Sequence, residues 1–223
     1  MGIAENLAQV KDSIVQSAKA ADRKPDEIEL VAVSKVHEAS TIRPALKAGH
    51  RVFGENRVQE AHGKWPELKE EFSGVCLHLI GSLQTNKVKE AVALFDVIET
   101  VDRPKLARAL AKEMEKQGKV LDVYLQINTG EEDQKGGCLP KDADEFITLC
   151  RDELNLSIKG LMCIPPADEE PSLHFAFLRK LVQKHGLEGL SMGMSGDYET
   201  AIRFGATSVR VGTAVFGVRA KKL

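Results

Sequence analysis

Apolar residues along the chain switch repeatedly between two periods. Ile3, Leu7, Val10, Ile14, Val15 and Ala18 recur every three to four positions. This predicts an amphipathic helix over 3–22, ended before Pro25. Leu30-Val31-Ala32-Val33 is apolar at consecutive, mostly β-branched positions, the pattern of a strand buried on both faces of a parallel sheet. Comparable short runs predict strands at 51–54, 77–81, 97–99, 123–128, 158–164, 190–193 and 208–212.

Helical spacing fills the intervals. One helix is expected through Ala48, with Ser40 or Thr41 as its cap and Gly49 as its stop. A second opens near Asn56, a candidate cap, and resumes after a break at Trp65 and Leu68. Others cover 84–94, the Leu106, Leu110 and Met114 stripe behind Asp102 and Pro104, and the region of Phe146, Ile147 and Cys150. The last two run from Pro171 through Val182 to Gly186 and from 197 to 204.

The alternation of strand and helix is strict, without linker, composition break or repeat. About eight such units, in a chain somewhat shorter than the ~250 residues typical of the fold, predict an α/β protein: a closed parallel (β/α)8 TIM barrel. It is expected as a single domain over 1–223 with an extra N-terminal helix. The rival is an open doubly wound sheet. A Rossmann fold would place G-x-G-x-x-G after the first strand, where Ser34-Lys35-Val36-His37 stands.

Composition narrows the partners. The net charge is −2, and no segment concentrates lysine and arginine as nucleic-acid binders do. Cys76, Cys138, Cys150 and Cys163 form no C-x-x-C pair and have no zinc-finger spacing to histidine, so reduced thiols and no metal are expected. No apolar run approaches the ~20 residues of a membrane helix. No signal pattern opens the chain, and Met1-Gly2 is followed by Asn6 where a myristoylation site needs Ser or Thr. A cytoplasmic protein, without membrane or nucleic-acid partners, is expected.

In such barrels the chemistry gathers at the C-terminal ends of the strands. Val31, Val33 and Lys35 share one strand face, so an inward face would set Lys35 at the rim of an apolar interior. Desolvation there favours the neutral, nucleophilic amine, whose natural partner is an aldehyde. Taken alone, the stretch reads rather as a strand ended by a surface lysine. Gly193-Met194-Ser195-Gly196-Asp197 and Gly212-Thr213-Ala214 follow the seventh and eighth strands, the usual phosphate cradle of this fold. Ser195 and Thr213 would add hydroxyl donors, while the alternative is two tight turns. The G-x-S-x-G elbow of hydrolases needs one more residue before the second glycine. Arg210 alternates with Val209 and Val211; if the valines face the helices, its guanidinium points inward. A buried guanidinium requires a partner, either a carboxylate or an acceptor on a ligand. A reactive lysine, a phosphate cradle and an inward arginine together describe a pyridoxal 5'-phosphate (PLP) site.

The motifs 30–35 (LVAVSK), 53–60 (FGENRVQE), 78–87 (HLIGSLQTNK), 160–166 (GLMCIPP), 191–197 (SMGMSGD) and 209–217 (VRVGTAVFG) resemble, in order, those of the pyridoxal phosphate homeostasis proteins, also called proline synthetase co-transcribed homologues. The position before His78, usually tryptophan in that family, is Leu77. The resemblance implies a barrel like the N-terminal domain of alanine racemase. It also implies a Schiff-base lysine at Lys35, phosphate contacts at Ser195, Gly212 and Thr213, and Asn56 and Arg210 near the ring. It implies a carrier or regulator that stores, buffers or delivers PLP to apo-enzymes, with no established reaction and no catalytic residues assigned. A PLP-dependent amino-acid racemase is the alternative. The chain ends at Leu223 without the second, β-rich domain that gives such racemases their opposing tyrosine. A cofactor-free phosphosugar barrel with a Schiff-base lysine is a third class. A monomer is expected. His78 reads either as a residue near the cofactor or as a hydrogen-bonded core histidine, and Lys87 and Lys89 are expected on a solvated face. Gly136-Gly137 beside Lys135 suggests a mobile lid whose amine accepts the aldehyde transiently.

Overall fold

The computed structural model describes residues 2–217. Eight strands, β1 (Glu29–Val33), β2 (Val52–Glu55), β3 (Cys76–Leu79), β4 (Val97–Val101), β5 (Asp122–Gln126), β6 (Ser157–Met162), β7 (Gly189–Ser191) and β8 (Ser208–Val211), close into a barrel in sequence order. Every pairing is parallel, and β8 returns to β1 with Val31 opposite Arg210. The helices are α1 (Ile3–Ala20), α2 (Ala39–Lys47), α3 (Val58–His62), α4 (Trp65–Glu71), α5 (Val88–Leu94), α6 (Pro104–Gln117), α7 (Ala143–Thr148), α8 (Pro171–His185), α9 (Tyr198–Arg203) and α10 (Thr213–Phe216).

Strand alternation sorts the core into two layers. Leu30, Ala32, Phe53, Leu77, Leu79, Val209 and Val211 face outward into the apolar layer shared with the helices. Val97, Tyr124 and Met162 form a small separate cluster, and Val31 lies against the interior position of Gly54. α1 is the expected extra helix: Leu7, Val10, Ile14 and Ala18 form its buried stripe, packed on α2, α9 and α10. Each of its large apolar side chains contributes about 1.5–3 kcal/mol by burial.

Several boundaries differ from the sequence pattern. α2 begins at Ala39 with Glu38 in the cap position, so Ser40 and Thr41 lie inside its first turn. α3 begins at Val58 with Arg57 in the cap position, leaving Asn56 in the loop after β2. The helix expected over 84–94 starts as a 3-10 turn, Thr85–Lys87. α8 matches expectation, with Pro171 at its start and Gly186 in the left-handed conformation that ends it.

Candidate functional site

At the C-terminal ends of the strands lies a cavity of about 290 Å³ lined by Val33, Lys35, Asn56, Ile80, Ile164, Met194, Ser195, Gly196, Arg210, Gly212 and Thr213. It brings together Lys35, Asn56, Ser195, Arg210, Gly212 and Thr213, the six residues singled out in the sequence. A cleft of about 500 Å³ at the opposite end, lined by Glu27, Glu29, Tyr124, Lys159 and Glu188, contains none of them.

β1 delivers the lysine. Val31 and Val33 turn inward, and Lys35, two residues beyond Val33, reaches the cavity that Val33 lines. The turn carrying it closes with His37 N–H donating to the Ser34 carbonyl at 3.1 Å. Val36 within that turn has φ +62°, a left-handed conformation that is rare for a β-branched residue.

The loops after β7 and β8 meet. Gly212 N–H donates to Ser195 Oγ at 3.3 Å, tying the two candidate phosphate loops together. Gly193, at φ +93°, makes the bend at the end of β7, where a Cβ would lie 2.6 Å from that of Ala201. Asp197 accepts the Met194 N–H at 2.6 Å and fixes the turn between them.

Arg210 is 3 % exposed and points into the barrel, as its alternation with the two outward valines implies. Its guanidinium donates to the Cys163 carbonyl at 2.9 Å and to Ser191 Oγ, and its Nη1 lies 3.6 Å from Glu99 Oε2. Of the two partners open in the sequence, the carboxylate is present, and Arg210 also lines the cavity. Ser191 donates to Glu99 Oε2 at 2.5 Å, and His78 Nδ1 lies 2.6 Å from Glu99 Oε1. His78 is the buried, bonded histidine expected of a core position. Burial alone would lower its pKa, but Cys76 and Glu99 outweigh it and lift the value to about 10. Burial opposes the Glu99 charge, yet His78 and Arg210 hold its pKa below the ordinary 4.5.

A second polar cluster lies behind Lys35. Lys64 Nζ is 2.9 Å from Glu55 Oε1 and 3.0 Å from Glu60 Oε1, and donates to the carbonyls of Ser34 at 3.1 Å and His37 at 2.9 Å. Ser34 Oγ and Trp65 Nε1 also donate to Glu55 Oε1. Sequence reasoning missed Glu99, Ser191, Glu55, Glu60 and Lys64. Glu99 carried a usable signal, since it alternates inward with Val97 on a strand buried throughout.

The loop expected as a lid is stitched to the barrel at one end. Cys138 N–H donates to the Gln126 carbonyl at 2.8 Å, and Gln126 Nε2 donates to the Gly136 carbonyl at 2.8 Å. Lys135 pairs with Glu132 at 2.5 Å and donates to the Pro165 carbonyl at 3.3 Å, without lining the cavity. Lys87 pairs with Glu90 on the surface, and Lys89 is exposed. The four cysteines are free thiols. Burial pushes Cys150 and Cys163 up to about 12, far from the reactive thiolate. Among the described residues no cluster of three or more His, Cys, Asp or Glu side chains could hold a metal, and no helix is long and apolar enough to cross a membrane.

Comparison with known proteins gives one answer. The family model for the alanine racemase N-terminal domain matches residues 6–220. The pyridoxal phosphate homeostasis protein of Pseudomonas aeruginosa is 43 % identical over 97 % of this chain and 96 % of its own. That of Escherichia coli K12 is 39 % identical over 97 % of each. Among solved structures, PipY of Synechococcus elongatus with PLP bound superposes with a TM-score of 0.83 at 37 % identity, over 96 % of this chain and all of the other. An alanine racemase from Clostridium difficile shares the fold, with a TM-score of 0.72 at 15 % identity over 99 % of this chain and 58 % of its own. The chain belongs to the pyridoxal phosphate homeostasis protein family.

Proposed function

We propose that this chain holds PLP at the C-terminal mouth of its barrel, linked through Lys35, and serves PLP homeostasis by storing, buffering or delivering the cofactor. The carrying observation is the convergence of an amine, a guanidinium, two hydroxyls and a glycine backbone on one cavity of about 290 Å³, near the low end of the ~300–1,000 Å³ usual for small-molecule sites. This donor set fits the group: an aldehyde needs an amine, a phosphate needs hydroxyl and backbone N–H donors, and a pyridine nitrogen accepts from a cation. The relatives' names and the PLP-bound PipY structure support the same ligand.

When bound, PLP supplies an aldehyde and a conjugated ring able to accept electrons. Lys35, which lines the cavity, would provide the amine that takes the aldehyde. Ser195, Gly212 and Thr213 would hold the phosphate from two loops already joined by a hydrogen bond, and Asn56, on the same cavity, would contact the ring. Arg210 holds its proton at every accessible pH. Placed towards the ring nitrogen, it would keep that nitrogen an acceptor and the ring a weak electron sink, which favours holding over carbanion chemistry. The chain's two tyrosines are committed elsewhere: Tyr124 is buried beside the opposite cleft, and the Tyr198 hydroxyl donates to Ser13 at 2.9 Å. This supports the carrier over a racemase. Recipients would be apo PLP-dependent enzymes, met in the cytoplasm by a monomeric, single-domain carrier.

Incubation with PLP followed by borohydride reduction and peptide mapping tests the reading. Expected are a yellow protein and modification at Lys35, with Lys35→Ala colourless. A colourless wild type, or reduction only at Lys135, would overturn it. Robust racemisation or transamination by the purified protein would replace the carrier with the enzyme.

A further inference from the structure

The structure assigns Lys64 as the positioning residue of the covalent site: its ammonium holds the turn 34–37 in the strained form that presents Lys35 to the cavity. The inference rests on the reading that Lys35 takes the cofactor.

The observation begins with a helix that breaks. α3 ends at His62, and Gly63 and Lys64 bend the chain into α4. The bend turns the Lys64 side chain inward, where it is 7 % exposed, onto the end of β1. Its Nζ meets two carboxylates, Glu55 and Glu60, and two main-chain carbonyls, Ser34 and His37. Those carbonyls bracket Lys35 and Val36. Glu60 Oε1 also accepts the Val36 N–H. One ammonium and one carboxylate therefore grip the turn through the carbonyls on either side and the amide in the middle.

The grip has something to hold. Val36 is 54 % exposed, so packing does not enforce its φ of +62°. A β-branched residue left to itself returns to the extended region. Such conformations persist only where the surroundings over-determine them, and they cluster at functional sites. Rotation at Val36 would swing the adjoining lysine relative to the cavity. The far side of the turn is braced by the His37 ring, 5.0 Å from that of Phe216 in α10, the helix that starts at Thr213. Amine and phosphate donors are thereby held in one frame.

The test pairs Lys64→Met with Glu55→Gln, so that no buried carboxylate is left alone. PLP affinity is read by absorbance titration, and amide hydrogen exchange at Val36 is read in protein stripped of cofactor. The expected result is faster Val36 exchange and at least ~10-fold weaker PLP binding, the scale set by one strained residue. Adding Val36→Gly should restore affinity towards wild type, because glycine adopts positive φ without strain. A merely structural lysine would not be rescued this way. Unchanged exchange and affinity, or a loss that Val36→Gly leaves in place, would overturn the assignment. If the double variant does not fold, Glu60→Ala, which removes the Val36 acceptor and one Lys64 contact, decides by PLP affinity and its rescue by Val36→Gly. Exchange is measured without cofactor, so a wild type that takes no PLP would sink the ligand reading while leaving Lys64 to be judged on Val36.

Discussion

Glu99 lies 3.6 Å from Arg210 inside the barrel, and its other carboxylate oxygen is 2.6 Å from His78, so one fully buried anion serves two buried cations. Ser191 fills the gap on the arginine side. Removing the shared anion takes the carboxylate from Arg210 and leaves His78 with only the carboxylate of Glu29, at 3.8 Å. Glu99→Gln is therefore expected to cost about 3–5 kcal/mol of stability, the range for breaking a buried ion pair, measured by denaturant unfolding.

The same cluster has a pH signature. His78 is raised from 6.5 to about 10, so its contribution is complete below pH 6.5 and is lost as pH rises through about 10. Glu99 is lowered from 4.5, so its contribution is present above 4.5 and is lost as pH falls through its folded value. The groups facing His78 are Glu99, Glu29 with Oε2 at 3.8 Å, and Cys76. The stability difference between wild type and His78→Gln should be largest between pH 4.5 and 6.5 and should shrink steadily towards pH 10. A difference that grows on the alkaline side would refute the charged histidine.

His50 works in the opposite sense. Its ring is buried edge-on against Phe53, and Nε2–H donates to the Val52 carbonyl at 2.7 Å. Burial, helped by the charges of Lys11 and Arg51, pushes its pKa from 6.5 down to about 4. Its contribution is complete above pH 6.5 and is lost as pH falls towards 4. At ~1.4 kcal/mol per pKa unit, this amounts to about 3 kcal/mol. Calorimetry from pH 7 to 4 should show a flatter acid limb in His50→Leu than in wild type.

Much of this architecture was legible because a parallel barrel writes itself in apolar runs of fixed length, each followed by a helical stripe. Lys35 and Arg210 were legible for a related reason: alternation along β1 and β8 decides which side chains enter the barrel. The same rule reaches Glu99, where Val97-Ile98-Glu99-Thr100-Val101 puts a carboxylate on an inward position that demands a partner. Its link to Ser191 spans 92 positions, and only barrel closure brings them together. Lys64 was hidden differently. Next to a glycine between two short helices, it reads as a solvated surface charge, and only the bend at Gly63 and Lys64 turns it inward. Asn56 looked like a helix cap because its side chain suits that task, but the helix starts two residues later and leaves it at the cavity.

Arg210→Lys tests the ring-side cation. Lysine keeps the charge but loses the planar fork that holds Ser191, the Cys163 carbonyl and the cavity face together. Loss of one charge-assisted hydrogen bond of about 1.5–3 kcal/mol predicts PLP binding ~10–100-fold weaker in absorbance titrations. Unchanged affinity would move the ring away from Arg210.

Two glycines separate a site effect from a fold effect. A Cβ at Gly81 would lie 2.3 Å from the Asn56 carbonyl oxygen and 2.7 Å from its Cα. A Cβ at Gly160 would lie 1.9 Å from the Gly189 carbonyl oxygen, where β6 pairs with β7. Both contacts are with backbone, which cannot rotate away, so each alanine variant should lose at least about 1–3 kcal/mol from overpacking. Only Gly81→Ala displaces a cavity residue, because Asn56 must move for the methyl to fit. Titration with PLP at a temperature where both variants are folded should therefore show weaker binding for Gly81→Ala and near-wild-type binding for Gly160→Ala. Equal affinities in the two variants would remove Asn56 from the proposed site.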